Sequence, residues 1–274
     1  MKESNKKGQL TLFVIIALVI VVAVILFFVF SEGARGYFKK TFFTGVFVPD
    51  SVQEVDNYIT DCLEKVVSRV IIVNGLQGGY YNTPNSAVYY NSYQDLLDRY
   101  VPLYIDKGEN ILTKEELERQ ISIGVEEQMT KCINFSIFDT EIEYDFSDLK
   151  ASSIISEGQV AVSLNFPVSI DVKDTKSSIE NFEATEKTNY LLLYNLSKEI
   201  TYRQLDEGRF ICLTCIKRMA NEQGVDVYIQ ESDDNVNNIH VMIYYLSKND
   251  IDSDNLETFS FAHKFYMEDF EEYA

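Results

Sequence analysis

From Leu10 to Phe30 every residue except Thr11 is apolar. At 1.5 Å of rise per helical residue, such a run crosses a hydrocarbon core of roughly 30 Å. A helix is the form in which one segment can sit in lipid with all of its backbone groups paired internally. A cleaved secretory signal has a shorter apolar region, about 7 to 15 residues, closed by a small-residue cleavage site. None is evident in Ser31-Glu32-Gly33-Ala34-Arg35-Gly36. The run therefore predicts a single-pass anchor at residues 10 to 30. It is preceded by a short basic cytoplasmic tail at 1 to 9 and followed by a juxtamembrane linker at 31 to 48 and an ectodomain at 49 to 274.

Charge bears on orientation and on partners. Lys2, Lys6 and Lys7 precede the run and Arg35, Lys39 and Lys40 follow it, so the two flanks nearly balance. The short first tail, together with an acidic remainder that holds all four cysteines, favours a cytoplasmic N-terminus and an extracytoplasmic body at the cell membrane. Lys and Arg number 24 against 43 Asp and Glu, a net charge of -19. That field repels nucleic-acid phosphates, so no nucleic-acid partner is expected. Membrane lipid around the anchor is expected, and other envelope proteins are candidate partners.

The start, Lys6-Lys7-Gly8-Gln9-Leu10-Thr11-Leu12-Phe13, resembles the class III leader of archaeal type IV pilin-like proteins. The resemblance covers about the first thirty residues and implies peptidase cleavage between Gly8 and Gln9. It departs from the common pilin pattern at Phe13, where a glutamate often stands, and at Gly33, Gly36 and Pro49, which interrupt any long continuation of the helix. More broadly, the layout is similar to uncharacterised archaeal single-pass surface proteins with this lysine-glycine-glutamine anchor.

Beyond the anchor, Ser51 and Glu54 read as a capping box. Val52, Val55, Ile59, Cys62, Leu63, Val66 and Val70 then recur at helical spacing. Thr113 and Glu116 open a second helix, with Leu117, Ile121, Val125, Met129, Cys132 and Ile133 on one stripe. Aligned on Cys62 and Cys132 the two helices look alike, as an internal repeat or as two amphipathic helices obeying one period. Between them lies a long loop with strand fragments, carrying Tyr80, Tyr81, Tyr89, Tyr90, Tyr93, Tyr100 and Tyr104. Tyr80, Tyr81, Tyr89 and Tyr90 are the ligand-loop candidates, since tyrosine offers an apolar face with a polar tip; the same rings can lie over a core.

After Asp139 the period becomes two. Ile142, Tyr144 and Phe146 alternate with acids, and Val160 to Val172 alternates without a miss. Pro167 within that run cannot donate to a ladder and predicts a bulge or an edge position. Helices are predicted over about 187 to 205 and 210 to 221, a hairpin over 225 to 229 and 239 to 245, and a last strand over 258 to 265. Helices grouped with antiparallel strands give an α+β fold.

Catalytic chemistry leaves few traces. The two histidines, His240 and His263, both fall in strand-like runs, and no nucleophile elbow, phosphate loop, dinucleotide turn or zinc-protease helix is present. Asp250-Ile251-Asp252-Ser253-Asp254-Asn255 imitates half of an EF-hand loop, but the twelfth position is Phe261, so it reads as a solvated turn, as do Asp233, Asn235 and Asn237. Cys212-Leu213-Thr214-Cys215 can host a redox couple if a helix N-terminus activates it. The helix predicted upstream, in place of a strand, favours a structural bridge or buried thiols, and a zinc site lacks a second ligand pair. Cys62 and Cys132 each lie on the apolar stripe of their helix, so they are expected to pair, contributing on the order of 2 to 4 kcal/mol in an oxidising compartment. Cys212 and Cys215 are then bridged to each other or left as thiols.

These features predict a non-enzymatic, membrane-anchored cell-surface protein with a structural, adhesion or assembly role, without a cofactor, catalytic residue or metal. A tethered ligand-binding module built on the tyrosine loop and a thiol-disulfide enzyme built on Cys212 and Cys215 are the alternatives.

Overall fold

The computed structural model describes residues 50–85, 87–91, 98–106, 110–172, 175–207, 211–231, 239–249 and 256–266. The chain divides into a unit ending at Asp50 and a body from Ser51 to Ala274. No helix among the described residues is long and apolar enough to cross a membrane. The apolar run at 10 to 30 lies outside them.

Helix α1 spans Asp50–Leu76. It takes in Asp50, so Ser51 stands in its first turn and not ahead of it as the capping-box reading requires. The periodic stripe is buried: Val55, Ile59 and Leu63 are fully enclosed, and Val67 and Ile71 extend the same face. Each such side chain contributes roughly 1.5 to 3 kcal/mol of transfer free energy. Helix α2 spans Lys114–Cys132, with Thr113 as N-cap accepting from the Glu116 amide. At its other end the Tyr58 hydroxyl of α1 accepts from the Asn134 amide at 2.9 Å and donates to the Cys132 carbonyl at 3.2 Å, which joins the helices beside their cysteines.

The tyrosine-rich stretch forms a hairpin, β1 (Val88–Asn91) with β2 (Asp98–Val101), followed by β3 (Leu103–Ile105). Next come β4 (Glu141–Tyr144), β5 (Lys150–Ser156), β6 (Gln159–Val172) and β7 (Thr175–Lys187). Strand β6 is central: β7 pairs with it throughout, while β4 and β5 lie end to end along its other edge. Its alternating residues from Val160 to Ile170 are all buried. Pro167 therefore lies in the central strand and not on an edge. Its missing N–H is tolerated because Phe166 and Pro167 oppose the single residue Glu180 in a bulge, and the break between β4 and β5 falls on the opposite side.

Helices α3 (Tyr190–Glu207) and α4 (Leu213–Glu222) precede β8 (Asp226–Glu231), β9 (Ile239–Asn249) and β10 (Leu256–Tyr266). The second sheet has the order β3-β10-β9-β8, and β3 joins β10 in parallel, so this sheet is mixed where the sequence predicts antiparallel strands alone. The fold class is α+β. One apolar cluster runs from the α1 and α2 stripes through the inner face of β6 to Tyr244 and Phe261.

Candidate functional site

The structure brings the four cysteines together in two bonds of different character. Cys62 and Cys132 are joined across a Cα–Cα distance of 6.2 Å and a sequence separation of 70. Cys62 is buried with the α1 stripe. Closing a loop of this length removes about 4 kcal/mol of unfolded-chain entropy. Cys212 and Cys215 are joined with Cα atoms 5.2 Å apart and a separation of 3, for which the same relation gives under about 2 kcal/mol. The buried free thiols considered for this pair are not found, since the described cysteines are all bonded. Cys212 is the N-cap of α4, and its Sγ accepts the Cys215 amide at 3.3 Å. Both residues are half-buried.

A groove of about 280 Å³ is lined by Leu213 and Ile216 on α4 and by Val225, Val227 and Ile229 on the β8 side, with Lys217 and Asp226 also in its wall. Leu213 and Tyr228 are exposed apolar residues of these same two elements. Among the described residues no strand pairs with the outer edge of β8.

The tyrosine candidates separate. Tyr81 lines a cleft of about 260 Å³ with Arg69, Val73 and Gln77 from α1 and its exit, and Gln128 from α2. The cleft is small for an organic ligand, which usually occupies at least about 300 Å³. Two of its polar side chains are paired with each other, since Gln128 donates to the Tyr81 hydroxyl at 2.7 Å, and the Tyr81 amide donates to Gln120 Oε1 at 2.9 Å. Gly124 lets the ring approach α2, because a Cβ there would lie 2.6 Å from Tyr81 Cδ2. Tyr80 is half-buried, and its hydroxyl pKa is raised by desolvation and by Glu116. The side chains of Tyr89 and Tyr90 and the whole of Tyr93 lie outside the description; Tyr104 lies over the core, donating to the Gly78 carbonyl at 2.9 Å. These tyrosines do not converge on one pocket within the described residues.

Sequence reasoning missed a buried polar layer under the second sheet. Asn74, Tyr190, Ser197, Thr201 and His263 are all enclosed, and the Tyr190 hydroxyl bonds Asn74 Oδ1. Thr201 donates its proton to the Ser197 carbonyl at 2.7 Å, so its oxygen accepts from His263 Nε2–H at 3.0 Å. That sets the tautomer and leaves Nδ1 without a partner among the described residues. Burial pushes the imidazole pKa down to about 3, so the ring is neutral. His240 pairs instead with Glu231. The only sequence signal for this layer was polar letters within helical and strand periods.

Gly8, Gln9 and residues 250 to 255 lie outside the described residues, and no group of three or more potential metal ligands occurs within them. Comparison of the chain with protein-family models, with curated proteins and with solved structures returns no match.

Proposed function

We propose that this chain is a single-pass membrane protein whose apolar run at 10 to 30 tethers an extracytoplasmic α+β body with a structural or assembly role in the cell envelope. The observation that carries this reading is the cystine between Cys62 and Cys132. Such a bond persists in oxidising compartments and is rare in the cytosol. It crosslinks α1, the first described helix in chain order, to α2 within one apolar cluster. Tension arriving through the anchor is thereby passed covalently into the body and does not rest on packing alone. The archaeal pilin-like leader, with removal of residues 1 to 8 before Gln9, belongs to the same proposal. The ligand-module reading is weaker on geometry, since the Tyr81 cleft is small and the Tyr81 hydroxyl already accepts from Gln128.

A membrane-impermeant amine reagent applied to intact cells tests the topology. Lys131 and Lys176 are 60% and 63% exposed, so both are expected to be labelled without lysis. Labelling that appears only after lysis would place the body in the cytoplasm and overturn the reading.

A further inference from the structure

An anchoring role has no use for the bond between Cys212 and Cys215. A ring closed over a separation of 3 restrains the unfolded chain far less than one closed over 70, so the staple is already supplied elsewhere. Its placement is instead chemical. Cys212 caps the ten-residue helix α4, where the positive end of the helix dipole and the Cys215 amide, 3.3 Å from Cys212 Sγ, both favour a thiolate. Thr214 Oγ1 lies 3.7 Å from the same sulfur. Lys217 and Arg218 add positive charge in the same helix. Neither cysteine is sealed in the core. Leu213, between them, is 58% exposed and begins the apolar groove toward Val225 and Val227.

We propose that Cys212 and Cys215 form a dithiol–disulfide exchange site for cysteine-bearing polypeptides, with the groove between α4 and β8 receiving an apolar residue beside the substrate cysteine. A substrate thiolate attacks Cys212 Sγ, a sulfur–sulfur bond forms to the substrate, and Cys215 leaves as the thiolate. The second substrate thiolate then attacks its own neighbour in that mixed disulfide and expels Cys212, the sulfur whose negative charge the helix N-terminus stabilises. Two electrons pass from the substrate dithiol to the cysteine pair, and the two substrate protons end on the released sulfurs or in solvent. The reverse sequence with a second, disulfide-bearing polypeptide restores the oxidised pair and reduces that partner. This activity goes beyond the anchoring role, and its chemistry does not depend on which side of the membrane the body occupies.

The full chain in non-ionic detergent, titrated through glutathione buffers of increasing reducing power, tests the proposal by differential alkylation and peptide mass mapping. The expected result is that Cys212 and Cys215 open while Cys62 and Cys132 remain joined, which also reports that the fold is intact. In that state, at pH 6.5, Cys212 should react with iodoacetamide about fivefold or more faster than a cysteine in an unstructured peptide. Cys215→Ser should trap a mixed disulfide when its Cys212 thiolate attacks a disulfide-linked dimer of a peptide carrying leucine beside its cysteine and expels one peptide as the thiolate, and Cys212→Ser should trap at least tenfold less. Opening of both bonds together, peptide-like reactivity at Cys212, or equal trapping by the two variants would overturn it.

Discussion

His263 shows how a single buried side chain makes stability depend on pH. Its ring lies against Tyr244, with centroids 4.5 Å apart, and Phe261, its Nε2–H is spent on Thr201, and its Nδ1 faces no donor among the described residues. Protonation would leave a charged N–H without an acceptor, so the folded pKa falls to about 3 while the unfolded value stays near 6.5. Between those values the unfolded chain binds the proton and the folded chain does not, so stability rises with pH across that window and levels off above about 7. The expected slope from this one group is about 1.4 kcal/mol per pH unit. Urea unfolding of the native chain and His263→Phe from pH 4.5 to 7.5 should show the native protein losing that much more per unit on acidification; parallel pH dependences would refute it. In the sequence His263 shows only as a residue in an alternating run. Its partner lies 62 positions away on α3, a relation no local period encodes. Tyr81 and Tyr104 make the same point, because one letter in one loop becomes a cleft wall in the first case and a core ring in the second.

Helix α2 does more than bury a stripe: it closes the open edge of the first sheet. Glu118 Oε1 accepts the Ile155 amide at 2.9 Å, Ser122 Oγ accepts the Ser153 amide at 3.0 Å, and Glu126 Oε1 accepts the Ala151 amide at 2.9 Å. Three side chains one helical turn apart thus meet three alternate amides of β5, since about 6 Å on the helix nearly matches about 6.8 Å on the strand. An edge covered in this way cannot recruit another strand. Glu126→Ala should lower the unfolding free energy by ~1 to 2 kcal/mol and speed hydrogen exchange at Ala151, while Glu126→Gln, which keeps an acceptor, should cost less than half of that. Unchanged exchange at Ala151 in the alanine variant would show that water serves the amide equally well. Strands β5 and β7 were illegible while β6 was plain, and β5 and β7 differ in the reason. Strand β6 is buried along its whole inner face. Strand β7 turns only Phe182 and Ala184 fully inward, and at the bulge Glu180 and Asn181 are both exposed, which breaks the period that would reveal it. Pro167 was readable as an irregularity, but whether it meant an edge or a bulge depended on neighbours far away in sequence.

At the scale of the molecule the charge is divided along the chain. Residues 1 to 49 carry six Lys or Arg against two glutamates, which leaves 18 cations against 41 acids, a net charge of -23, for residues 50 to 274. Basic residues thus flank the apolar run on both sides, while the body repels an anionic surface. Described ion pairs offset little of the excess. Lys176 with Glu143 joins two side chains that are each 63% exposed, and Lys131 with Glu127 is a pair within one helix turn; such surface pairs contribute about 0 to 1 kcal/mol each. Folding therefore concentrates mostly unbalanced negative charge into a smaller volume than the unfolded chain occupies, and the resulting repulsion opposes it. Salt weakens this repulsion, since the screening length falls from about 30 Å at 0.01 M to about 8 Å at 0.15 M. It also weakens the favourable pairs, but these act over contact distance and are already mostly solvated, whereas the repulsion is summed over the whole body. The urea midpoint of the full chain in non-ionic detergent should accordingly rise between 0.01 M and 0.15 M sodium chloride and flatten above that, without a change in slope. A midpoint that falls with salt would mean that the ion pairs outweigh the acidic excess, and that the body is held together by its charges and not in spite of them.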